Sequence, residues 1–330
     1  MKPSRSFLAA LLTGFVLVLA LRIAAFYLNL GVPSDLSRWA FDFYEKKRLL
    51  AREAGPGKLL LVGGSATLFG VSAREIEART GQRTINFADH AAFGTAYILH
   101  EAQQVAKPGD TVLLILEYEL YDSGNLEQAW VDKVLVDYLV ARDPAYLHSR
   151  TLAEQWTVFM LMSDNRLLRG LKYRLRHGKT EGPEQNQDGP YHVRCIDDWG
   201  DQTCNGESAR PKYRDRVWLQ KSVLAEGLPV SPKGSAAIEA FCQWAKAHNV
   251  RVLAAFPNLC YQPEYFGKAA REAIVTITRL FSRLGVPVVG NYTEVILPAD
   301  QFFDTCYHLT AEAAKARSRR LAAELIPYLK

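Results

Sequence analysis

The chain has only five cysteines in 330 residues. None belongs to a Cys-x-x-Cys pair, so a structural zinc site is not expected. No Gly-Lys-Ser/Thr follows the Gly63-Gly64 pair, which excludes a phosphate-cradling Walker loop there. The glycine spacing does not fit a dinucleotide fingerprint, and Gly64-Ser65-Ala66-Thr67 is not a Gly-x-Ser-x-Gly elbow. The net charge of +5 is dispersed, with no basic stripe interleaved by aromatics. Nucleic acid is therefore not an expected partner. There is no internal repeat and no low-complexity tract. No metal and no cofactor is expected.

What is present is a globular composition, 48% apolar and 23% charged. It is preceded by one long apolar run. Phe7 to Leu28 carries a single charge, Arg22, and as a helix would span about 33 Å, enough to cross a bilayer. Arg22 lies about two turns from the end, so its stem could reach the interface. The run is long for a cleaved signal peptide and lacks a clear small-x-small site before Asn29. An uncleaved anchor over residues 1–30 is expected, then a linker over 31–57, then one domain over 58–330. Lys2 and Arg5 precede the span, while Arg38, Lys46, Lys47 and Arg48 follow it. The positive-inside count therefore does not decide orientation. A short basic N-terminus before one large domain favours an inner-membrane, single-pass protein whose domain is periplasmic or outside the cell.

The cysteines fit export. Cys195 and Cys204 flank a polar segment without an apolar pattern of its own. A disulfide would stabilise it in an oxidising compartment. Cys260 and Cys306 are a second possible pair, and Cys242 reads as a buried apolar filler.

The pattern along the chain alternates β and α. A strand at Leu59–Val62 leads through Gly-Gly-Ser into a helix. Ser72 and Glu75 form a capping box for a helix to about Thr80. A strand follows at Thr84–Phe87, then a helix from Gly94 to about Ala106. The run 111–118, TVLLILEY, suits a strand buried on both faces. Residues of about 122–230 interrupt the alternation with helical patterns, Leu152–Leu175 the longest, and the polar cysteine segment. It resumes with a helix at Ser235–Ala247, a strand at Arg251–Phe256, a helix at Glu264–Leu284, a strand at Pro287–Val289 and a helix at Ala311–Tyr328. This predicts an α/β fold, a doubly wound parallel sheet of the flavodoxin kind with a large helical and loop insertion.

Ser65 then sits at a helix N-terminus after a sharp turn, where backbone N–H groups can hold an oxyanion. His308 lies before the last helix in FFDTCYHLT. A neutral imidazole there could take the Ser65 proton, with Asp304 fixing its tautomer. His90 in NFADH, with Asp89 beside it, follows the second strand at the same sheet edge. His100, His148, His177, His192 and His248 are weaker candidates.

These residues resemble the SGNH (GDSL-like) hydrolase superfamily: strand–Gly-x-Ser–helix, Asn86 with Gly94 after the second strand, and Asp and His before the last helix. The single span resembles membrane-anchored members that serve teichoic-acid D-alanylation and polysaccharide O-acetylation. The likeness covers about 58–121 and 250–330. It implies Ser65 as nucleophile and N–H oxyanion donor, Gly94 or a nearby N–H as a second donor, His308 as base and Asp304 as its orienter. The family's third block carries an asparagine donor, but here the third strand ends Glu117-Tyr118-Glu119. Asn258 could substitute, while Glu117 and Glu119 would repel an oxyanion unless they hold a partner or cation. The expected function is a serine esterase or O-acyltransferase acting on a glycan or cell-envelope polymer. An integral-membrane acyltransferase is a candidate partner. The alternative is a catalytically silent scaffold for polysaccharide export.

Overall fold

The computed structural model describes residues 4–122, 133–181, 189–209, 220–227, 230 and 232–329. Parts of the expected insertion, 123–132, 182–188, 210–219 and 228–229, lie outside the described residues. The chain packs as two compact units, Met1–Phe41 with Trp130–Asn186, and Asp42–Ala129 with Gln187–Lys330.

The first unit is helical. Helix α1, Arg5–Asn29, is long and apolar enough to cross a membrane. Its last turns pack against α9, Asp164–His177. Before α9 come α6 (Lys133–Ala141), α7 (Pro144–Ser149) and α8 (Leu152–Leu161). Inside this unit the Arg166 guanidinium pairs with Asp137, and Asp137 also accepts from Ser37 Oγ at 2.7 Å. Arg166 donates to Asn29 Oδ1 at 3.0 Å, which ties the end of α1 to α9. The single helix expected over Leu152–Leu175 is two. Met162 closes the first, and Ser163 caps the second by accepting from the Arg166 N–H. Serine offers the backbone that alternative at a helix start.

The expected linker over 31–57 is also corrected. It holds α2, Arg38–Glu53. Phe43, Tyr44, Lys47 and Ala51 are buried in the second unit. Arg48 binds Glu101 through two nitrogens, at 3.0 and 2.7 Å. A lysine at the third core position broke the apolar stripe by which such a helix is recognised in sequence.

The second unit is mixed α/β. Its strands are β1 (Leu59–Val62), β2 (Thr84–Asn86), β3 (Thr111–Leu114) and β4 (Arg251–Ala255), with short strands β5 (Leu259–Cys260), β6 (Val288–Val289) and β7 (Ile296–Leu297). A five-stranded sheet runs β2-β1-β3-β4-β6, every pair parallel. β4 therefore pairs with β3 across the whole interruption. β5 and β7 form a separate parallel pair that the sequence pattern did not announce. The helices are α3 (Ser65–Gly70), α4 (Ala73–Thr80), α5 (Gly94–Val105), α10 (Pro232–Ala247), α11 (Lys268–Arg283) and α12 (Ala311–Leu329). α4 lies against α12, and α5 against α10. Leu59, Leu61, Leu113, Ile115 and Leu253 make a core with Leu321 and Leu325 of α12. Each such buried side chain contributes roughly 1.5–3 kcal/mol.

Cys195 and Cys204 are disulfide-bonded. The loop they close is a structural plug. Asp201 accepts from the Ala73 N–H at 2.7 Å and from Ser72 Oγ at 2.8 Å, so it caps α4 from a distance. Trp199 C=O accepts the Asn86 N–H at 2.8 Å. Ser72 does accept from the Glu75 N–H, but its own N–H goes to Ser318 Oγ rather than back to Glu75. Burial pushes Asp201 up to about 6. Replacing both cysteines with serine should cost about 2–3 kcal/mol by the chain-entropy model for so short a loop. Urea unfolding of the double variant against the wild type measures this; an unchanged midpoint would refute it. Cys260 and Cys306, the second possible pair, are buried free thiols, as is Cys242. The Cys260 N–H donates to the Cys306 carbonyl, so the two backbones are joined without their sulfurs.

Candidate active site

β1 delivers Gly63-Gly64-Ser65 into α3. Both glycines are required by close approach. A Cβ on Gly63 would stand 2.2 Å from the Ile115 carbonyl oxygen, and one on Gly64 2.6 Å from the Ala91 backbone. Ser65 is the first residue of α3 and half-buried. Its hydroxyl has no hydrogen-bond partner among the described residues.

His308 is 4% exposed. Its Nδ1 lies 2.7 Å from Asp304 Oδ1, so the four-residue spacing allows the contact. Nδ1–H donating to the carboxylate leaves Nε2 as the acceptor nitrogen. The imidazole stacks on Phe69, centroids 4.2 Å apart and planes 8° apart. Phe69 is four residues after Ser65 on α3, and residues so spaced share a helix face. The dyad is thus held over the helix face that begins with Ser65. Phe69 is the residue that sequence reasoning missed. Only the i, i+4 relation to Ser65 could have signalled it.

The acids at the end of β3 have found partners. Glu117 is buried and accepts from the Gly64 N–H at 3.0 Å and from the Ala66 N–H at 2.7 Å. It therefore occupies the two N–H groups on either side of Ser65. The Ser65 N–H between them has no acceptor among the described residues. Burial pushes the Glu117 carboxyl up to about 7, against the pull of those two N–H groups. Glu119 Oε2 lies 2.6 Å from the Tyr307 hydroxyl, which is equally near Ser222 Oγ. The single phenolic proton goes to the carboxylate, and the serine supplies the other bond. This clamp holds the residue before His308.

The other expected donors are engaged elsewhere. The Gly94 N–H goes to the Ala91 carbonyl, and Gly94 is glycine because its φ is +71°. Asn258 donates to the Tyr307 carbonyl and accepts from Arg317 at 3.0 Å. A Cβ on Gly70 would lie 2.1 Å from Asn258 Oδ1. Asn258 thus sits at the C-terminal end of α3, more than one turn from Ser65. Asn86 donates to the Val71 carbonyl at 3.0 Å and is fully buried. His90 Nδ1 accepts from the Ala92 N–H at 2.9 Å, capping the turn beside Gly64. Asp89 donates its N–H to the Gly63 carbonyl at 3.3 Å. Its buried carboxyl oxygens have no hydrogen-bond partner among the described residues. Burial raises its pKa well above the carboxylate range, opposed by buried Lys47. Burial lowers Lys47 to about 8, and its ammonium donates to the Ala88 carbonyl. No group of three or more potential metal ligands exists among the described residues.

Glu117 has a measurable consequence. Its folded value near 7 exceeds its ordinary 4.5, so between these values the folded chain holds a proton that the unfolded chain has released. The stability tied to that proton is complete below about pH 4.5 and is lost as pH rises through about 7. The loss is on the order of 3 kcal/mol. Glu117→Gln removes the titration and leaves a pH-independent offset. The wild-type minus Glu117→Gln stability, from urea unfolding, should fall across that window. A flat difference would refute the assignment.

No protein-family model matches the chain, and no curated protein matches it.

Proposed function

We propose that the protein is a membrane-anchored, extracytoplasmic serine esterase or O-acyltransferase with a doubly wound SGNH-like domain. The observation that carries this is the Asp304–His308 pair stacked on Phe69, one helical turn along α3 from Ser65. Ser65 Oγ attacks an acyl carbonyl while His308 Nε2 takes its proton. The Ser65 N–H, at the start of a helix, receives the oxyanion. The bond to the leaving oxygen breaks, and that oxygen takes the proton from His308. A sugar hydroxyl or water then attacks the Ser65 ester by the same route in reverse. The switch of crossover direction at β1, between β2 and β3, supports a ligand site at this sheet edge. The acyl group is small, such as acetyl, and the acceptor is a glycan or cell-envelope polymer. An integral-membrane acyltransferase would supply the acyl group in the transferase form.

A second reading is favoured by Glu117. Its carboxylate already fills the N–H groups flanking Ser65. An ionised acid there opposes an oxyanion, which suits a catalytically silent scaffold for polysaccharide export. A fluorophosphonate probe distinguishes the two. Labelling of wild-type protein in membranes, at Ser65 by peptide mapping, is expected for the enzyme. No labelling between pH 5 and 8 would favour the scaffold. A reporter fused after Lys330 should be active only outside the cytoplasm; cytoplasmic activity would overturn the location.

A further inference from the structure

Helix α1 is bare over most of its length. From Arg5 to Leu21 every residue except Leu19 is exposed. That is about 25 Å of helix at 1.5 Å per residue. A bilayer's hydrocarbon core is about 30 Å thick. Immediately after the bare stretch, Arg22 is fastened to the turn between α8 and α9. It pairs with Asp164, donates to the Met162 carbonyl at 2.6 Å, and lies 5.3 Å from the centre of the Phe159 ring. Phe26 packs edge-on against the same ring at 5.5 Å. The α8–α9 turn is thus held where α1 would leave the hydrocarbon, with roughly 5 Å of apolar thickness still to be covered.

The helices held at that level expose large apolar side chains. On α8, Leu152, Trp156 and Met160 follow one another at four-residue steps and are 83%, 51% and 56% exposed. Leu161 continues the patch, at 48%. On α9, Leu168 is 64% exposed, and Arg169, Lys172 and Arg176 are exposed beside it. Large apolar side chains exposed in this number on two successive helices are unusual against water. Apolar and tryptophan side chains beside a basic face are what an interfacial helix needs. Such a helix sinks about 5–10 Å into the headgroup boundary.

The geometry points to a second membrane contact: α8 and α9 lie in the headgroup region of the leaflet from which α1 emerges. Trp156, Met160, Leu161 and Leu168 enter the acyl boundary, and Arg169, Lys172 and Arg176 rest on anionic phospholipid headgroups. The inference rests on reading α1 as a membrane span. It makes the first unit a platform fixed in depth, rather than a domain on a free tether.

The full-length protein in nanodiscs of phosphatidylcholine with phosphatidylglycerol tests it. Single environment-sensitive fluorophores are placed at Leu12→Cys, Leu161→Cys or Leu168→Cys. The native free thiols are buried and stay unlabelled in the folded protein. Leu12 should be quenched by lipids carrying a nitroxide deep in the chain. Leu161 and Leu168 should be quenched by a nitroxide near the headgroup and shielded from aqueous iodide. Iodide-accessible labels at Leu161 and Leu168 with no lipid quenching, while Leu12 is quenched, would overturn the platform and leave the span standing. An unquenched Leu12 would overturn the span, and the inference with it. Replacing Arg169, Lys172 and Arg176 with Glu, or using phosphatidylcholine alone, should weaken headgroup-level quenching at Leu168 severalfold. Equal quenching in both lipids would overturn the anionic-headgroup assignment.

Discussion

Ser65→Ala is expected to lower turnover of a small acetyl ester by at least about three orders of magnitude, since loss of a nucleophile removes the covalent path altogether. The variant should fold normally. The Ser65 hydroxyl makes no hydrogen bond among the described residues, and alanine is a good helix former at the first turn of α3. Fluorophosphonate labelling should vanish together with activity. Full turnover in Ser65→Ala, at an unchanged melting temperature, would exclude the serine mechanism.

His308→Ala should be nearly as damaging, because among the described residues its imidazole is the only basic ring packed against Phe69, the other two being Phe303 and Tyr191. Asp304→Asn is expected to lower kcat by roughly 10²–10⁴, the scale seen when a triad acid is replaced and the histidine tautomer is no longer held. Its amide can still sit beside Nδ1, so geometry survives while charge is lost. The two variants separate roles. An inactive His308→Ala with a fully active Asp304→Asn would mean that another acceptor orients the ring. His90 supplies the opposite control. Its Nδ1 is spent on the Ala92 N–H, so His90→Ala should keep most activity if His308 is the base. Activity retained in His308→Ala but lost in His90→Ala would move the base to the end of β2.

The elements that were legible in sequence are those with local signals. β1 and β3 are continuous apolar runs between turn residues, and all of their residues are buried in the parallel sheet. Gly63-Gly64 ahead of Ser65 announces a sharp turn, and no Cβ fits at either glycine. Helix α4 announced itself through Ser72. The linker was misjudged because Lys47 stands at a core position of α2. The join across Leu152–Leu175 was misjudged because Ser163-Asp164 is polar in an otherwise helical period, and a cap and a surface position look alike in one dimension.

By itself, the amino-acid sequence determined that one segment is apolar enough to span a bilayer, that a serine follows the first strand at a helix start, and that an acid and a histidine precede the last helix. Each depends on residues within a few positions of one another, where propensity and spacing act. Tertiary structure decided who meets whom. Glu117 reaches the Ala66 N–H from 51 residues away. Tyr307 reaches Glu119 across 188. His308 finds its ring partner in Phe69, and Asp201 caps a helix 128 residues earlier in the chain. Such pairings are set by parallel strand order and by the burial of groups that must then be satisfied. No local pattern encodes them, so the occupied N–H groups around Ser65 became visible only once the sheet was assembled.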